Sequence, residues 1–88
     1  MTASPEPAPV QKTLPLTHIA ARERWGLPDA SEGNVNDPRT YEEHGVKFNE
    51  KWIYLLPDGA QRLVYWHRYD CRGVLVELAS GSVREEPV

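Results

Sequence analysis

Hydrophobic and polar positions change their spacing near residue 46 of this chain. Before that point the chain is punctuated by Pro, Gly, Asn and Asp; after it, apolar residues alternate with polar ones in runs of strand length. Residues 17–27 form the first segment with a defined start and stop. Thr17 suits an N-cap, the stretch from Ile19 to Arg24 tolerates helix, and Gly26 followed by Leu27 and Pro28 fits a left-handed C-terminal stop. Trp25 in the last turn is the expected anchor of this helix. Residues 29–36 read as loop. Asp37 as N-cap, Pro38 at the first helical position and Gly45 as terminator then predict a second helix of one or two turns.

Residues 46–56, 61–70 and 74–79 alternate with period two and predict three strands. Pro57-Asp58-Gly59 and Cys71-Arg72-Gly73 supply the turns between them, each with a glycine able to take a left-handed conformation. The expected fold is α+β: one or two short N-terminal helices packed on a three-stranded antiparallel meander. The expected organisation is a disordered Pro-rich arm over 1–15, a folded domain over 16–82 and a frayed tail over 83–88. The arm holds Pro5, Pro7, Pro9 and Pro15 among small residues with little to bury.

Counting outward from the turns sorts the strand residues onto two faces. One face collects Val46, Phe48, Trp52, Tyr54, Val64, Trp66, Val74, Val76 and Leu78, a core face for the helix to cover. The other carries Lys47, Lys51, Ile53, Leu55, Leu63, Tyr65, His67, Tyr69, Leu75 and Glu77, with Tyr65 opposite Lys51 and His67 opposite Glu77. This second face is too apolar for a solvated surface, and two short helices cannot shelter both sides. Exposed apolar patches of that kind mark contact surfaces. A protein-interaction face of Lys47, Lys51, Ile53, Leu63, Tyr65, His67, Tyr69 and Glu77 is therefore expected.

Composition narrows the options. The chain has 88 residues, one cysteine and a net charge of −3, with ten Lys+Arg against thirteen Asp+Glu. This is one small domain, not a polycation built for nucleic acid. No run approaches a membrane span, and the N-terminus lacks the pattern of a secretory signal. A single cysteine fits a reducing compartment, so the cytoplasm is expected. No Walker loop, GxGxxG, GxSxG or HExxH occurs. No cofactor and no metal site is expected: His67 and Cys71, four apart on a strand, stand ~13 Å apart, beyond the reach of one ion.

Three readings of function follow. The first is a non-catalytic interaction module: an accessory or regulatory subunit, or a small homo-oligomer, using the aromatic sheet face. The second is single-stranded nucleic-acid binding through the same aromatics, which stack bases in many such proteins. The third is a small enzyme or ligand carrier centred on His67, His44 and Cys71, with Cys71 at an exposed turn beside Arg68 and Arg72.

Overall fold

The computed structural model describes residues 13–88. The first twelve residues of the Pro-rich arm lie outside the described residues. The helix α1 runs over His18–Trp25, with the Thr17 side chain accepting a hydrogen bond from the Ala20 amide at 3.0 Å and Gly26 closing the helix at φ 81°. Seven strands follow: β1 (Ala30–Gly33), β2 (Tyr41–Glu43), β3 (Val46–Phe48), β4 (Glu50–Leu55), β5 (Gln61–His67), β6 (Asp70–Glu77) and β7 (Val83–Glu85). They form a five-stranded antiparallel sheet of order β1-β4-β5-β6-β7 and a separate hairpin, β2-β3.

The expected α+β fold on a three-stranded meander is thereby corrected to a mostly β fold with one helix. The meander β4-β5-β6 exists, but it is the centre of a wider sheet. Its outer strands carry no apolar alternation. All four residues of β1 are exposed, and β7 is three residues long. These strands are held by main-chain pairing to β4 and β6 and leave no periodic trace. Within residues 83–88, β7 pairs with β6, and Arg62 forms a two-pronged ion pair with Glu86 at 2.5 and 2.9 Å. At the other end, Leu14 bridges to Cys71 and Arg72 donates to the Thr13 hydroxyl, so the folded part begins before residue 16.

The second helix is absent. Residues 41–48 form the β2-β3 hairpin instead, closed by His44 and Gly45 at φ 53° and 79°. Two successive positive φ angles make the mirror-image turn that matches the twist of a hairpin, and Gly45 serves that turn rather than a helix end. The continuous strand expected over 46–56 is broken at Asn49. The β4-β5 register, with Trp52 opposite Val64 and Glu50 opposite Trp66, is the one counted from the sequence. The β5-β6 turn is not: it lies at Arg68 and Tyr69, with His67 opposite Asp70, and Arg72 is an extra residue in a bulge.

The sheet is buried on both faces by its own chain. Under α1 lie Trp52, Tyr54, Val64, Trp66, Cys71 and Val74, joined by Leu16 and Ala21. Ala21, not Trp25, is the fully buried residue of the helix. On the opposite face Leu63, Tyr65 and Leu75 pack under Phe48 and Val46 of the hairpin. Gly73, opposite Tyr65, lets the hairpin approach: a Cβ there would stand 3.3 Å from a Val46 methyl.

Asn49 makes this double cover, and it is itself buried. Its side-chain amide donates to the carbonyls of Val35 and Asp37, both at 3.2 Å, and its side-chain oxygen accepts the Arg68 amide at 2.9 Å. Its main chain donates to the Trp66 carbonyl and accepts from Asn34. Buried polar groups left unpaired cost ~1–3 kcal/mol each. Asn49→Ala is therefore expected to lower the unfolding free energy by about 2–4 kcal/mol, against under about 1 kcal/mol for Asn34→Ala at an exposed turn. Urea unfolding checks this; equal midpoints for the two variants would remove Asn49 from its central place.

Candidate functional site

The residues expected to form an interaction face are not on one open surface. Tyr65 is 0% exposed; its hydroxyl donates to Glu43 Oε1 at 2.8 Å beneath the hairpin. Leu63 is buried beside it, and Lys51 is nearly so, its ammonium 2.8 Å from the same Glu43 oxygen. Ile53, His67 and Glu77 are half-buried, and Lys47 and Tyr69 are exposed. The structure brings Lys51 and Tyr65 together with Glu43 as a polar clasp between sheet and hairpin. The premise that the sheet has more apolar surface than the chain can cover fails here, because residues 41–48, expected as the end of a helix and the start of a strand, form a hairpin that brings Val46 and Phe48 over it.

This clasp is electrostatic. Burial works to raise the Glu43 pKa, but the hydrogen bonds from Lys51 and Tyr65 together outweigh it, so the carboxyl titrates below its ordinary range. The Tyr65 hydroxyl is pushed up, first by burial and then by the adjacent Glu43 carboxylate. Arg62 likewise holds Glu86 low.

The residues of the enzyme reading do not converge. Cys71 is buried under α1 rather than at an exposed turn, and burial pushes its thiol up to about 11. His44 is at the hairpin tip. His67 lies in a small cleft beside Thr40, Lys47 and Arg72. Among the described residues no group of three His, Cys, Asp or Glu is placed to hold a metal ion, and no helix is long and apolar enough to cross a membrane.

A different site gathers where α1 begins. His18 stacks on Trp66 with ring centroids 3.8 Å apart and planes 20° apart, and it meets Trp52 edge-on at 5.2 Å. His18 Nε2 lies 2.9 Å from Glu50 Oε1. A carboxylate only accepts, so the Nε2 position carries the proton. The second Glu50 oxygen accepts the Trp52 indole N–H, also at 2.9 Å. His18 and Glu50 of this chain line an open trough of about 480 Å³, together with Ile19 and Arg22 of α1 and with Val35 and Tyr69 from outside it. Ile19 is 68% exposed and Tyr69 is 74% exposed. Arg22 reaches over the Trp52 ring at 5.6 Å.

Sequence reasoning included Tyr69 but missed His18, Ile19, Val35 and Glu50. One local signal existed: Ile19 stands in a helix whose neighbours are mostly polar. The contacts of His18 with Glu50 and Trp66, 32 and 48 positions away, have no local signature. Comparison with family models, with curated proteins and with solved structures finds no significant match.

Two outcomes follow from these environments. Glu43 and Glu86 have folded pKa values below their unfolded ones, so their stabilisation is complete above the unfolded carboxylate range. It is lost as pH falls through the lowered folded values. Thermal melts across the acid range are expected to show a shallower loss of stability for Glu43→Gln and Glu86→Gln than for the parent chain. A thiol-reactive chromophore is expected to label native Cys71 at least ~100-fold more slowly than the urea-unfolded chain, given a buried and protonated thiol. Comparable rates would place Cys71 outside the core.

Proposed function

We propose that this chain is a non-catalytic protein-interaction module of the cytoplasm, an accessory or regulatory subunit whose trough at the start of α1 receives an extended segment of a partner protein. One observation carries this reading: Ile19 and Tyr69, two large and exposed apolar side chains far apart in sequence, line the same concave trough. Single exposed apolar residues are ordinary, but two of them lining one concave trough beside a fixed His18–Glu50 pair fit the form of a peptide groove, apolar anchors with a few placed polar groups. The floor is preorganised, because His18 is held by a stacked indole and a carboxylate that is itself held. A rigid floor lowers the ordering cost of binding. Base stacking on the sheet loses its support, since Tyr65 is covered by the hairpin.

Panning a random-peptide phage library on the immobilised protein tests the reading, with Ile19→Asp as the counter-target. Peptides are expected that bind the parent chain and lose at least about tenfold in affinity to Ile19→Asp and to Tyr69→Ala, the size of one anchor contact. Leu55→Ser, which alters an equally exposed apolar residue at the end of β4, is expected to bind unchanged. All variants are at exposed positions, and superimposable circular dichroism verifies their folding. Equal enrichment on parent and counter-target overturns the reading. So does self-association that disappears in Ile19→Asp, which would assign the trough to a second copy.

A further inference from the structure

The charges around the trough say what kind of segment it takes. Arg22 belongs to the helix wall, its guanidinium over the Trp52 ring. Arg68 stands beside the other wall: its NH1 donates to the Val35 carbonyl at 3.3 Å, and Tyr69 follows it in the chain. Both arginines are exposed. The one carboxylate lining the trough, Glu50, has both oxygens committed, to His18 and to Trp52. Asp70, next to Tyr69, lies 3.6 Å from Arg72. Two cations, Arg22 in the lining and Arg68 on the Val35 carbonyl, thus stand at the trough against the single lining carboxylate of Glu50, on a chain whose net charge is −3. A positive site on an acidic protein attracts acidic segments and repels the chain's own surface.

We infer that the partner segment is acidic around an apolar anchor: an aliphatic or aromatic side chain between Ile19 and Tyr69, with Asp or Glu on each side reaching Arg22 and Arg68. This rests on the docking reading above and adds a charge rule to it. Arginine suits the task, because its planar fork pairs with a carboxylate through two parallel hydrogen bonds.

The peptides enriched by panning supply the first test. Asp and Glu are expected to be over-represented beside the apolar position, and Lys and Arg depleted. Fluorescence anisotropy then follows one labelled enriched peptide and its counterpart with every acid replaced by lysine. Arg22→Glu and Arg68→Glu are each expected to weaken the acidic peptide about tenfold, with the loss shrinking at high salt. The lysine peptide is expected to bind the double Glu variant more tightly than it binds the parent chain. A purely structural role of either arginine would not produce that reversal. Apolar peptides enriched without acid bias, and lost in Ile19→Asp, overturn the charge rule and leave the docking reading standing. Absence of any peptide that distinguishes the parent chain from Ile19→Asp overturns both.

Discussion

One buried amide decides how this chain is arranged. A strand that ran unbroken from Val46 to Leu55 would place Phe48 on the helix side of the sheet, in step with Trp52. Asn49 prevents that. Its side chain satisfies two loop carbonyls and the Arg68 amide, and its main chain pairs with Asn34 and Trp66. Those partners lie outside β3 and β4, so the ladder bends at Asn49 and Phe48 crosses to the other face. Gly33 shows how tight the junction is: a Cβ there would stand 2.2 Å from the Asn49 carbonyl oxygen, at a φ of 70° that disfavours other residues. Several main-chain segments therefore meet at one side chain. A hydrophobic residue of similar size would deprive the Asp37 carbonyl and the Arg68 amide of their partner and the Val35 carbonyl of one of its two donors.

The consequence is a small sheet sheltered on both faces without a disulfide or a second domain. On one side Leu16, just ahead of α1, and Ala21 of α1 join the two tryptophans in one core cluster. On the other the hairpin lays Phe48 against Tyr65, ring centroids 4.8 Å apart, with Glu43 holding both Tyr65 and Lys51. The polar atoms carried inward by Tyr65 and Lys51 find their acceptor on the hairpin itself, which makes the cover specific rather than merely greasy. The central residues of both sheet faces are therefore covered, while Ile19 of α1 and Tyr69 of the β5-β6 turn remain exposed.

Much of the local structure was legible. Thr17, Gly26 and Pro28 delimit α1, and Pro57-Asp58-Gly59 sets the β4-β5 register, because those signals act on neighbouring residues. The two-sided alternation of Trp52, Tyr54, Val64 and Trp66 against Ile53, Leu63 and Tyr65 was also readable. Elsewhere local chemistry was outvoted by distant contacts. Asp37 and Pro38 resemble a helix start, yet the Asp37 side chain accepts from the Arg39 amide and its carbonyl accepts from Asn49. Gly73 resembles a turn glycine, yet the positive φ falls on Arg68, whose amide is held by Asn49 across 19 positions. The candidate site shares this fate: whether Tyr65 or Tyr69 stays exposed depends on the 41–48 hairpin, whose first five residues carry helix-like signals.

Fold and site meet in the same residue. The Val35 carbonyl that accepts from Asn49 belongs to the trough's outer wall, and the Arg68 amide that Asn49 holds begins the turn that carries Tyr69. Glu50, the next residue in the chain, anchors His18 on the floor. The wall, the turn and the floor are thus placed by two consecutive residues at the strand break. A trough built this way is ready before anything enters it, so a partner segment would give up its own freedom without also having to order the protein. The break in the strand pattern at Asn49 is then the local feature most closely tied to where the trough lies.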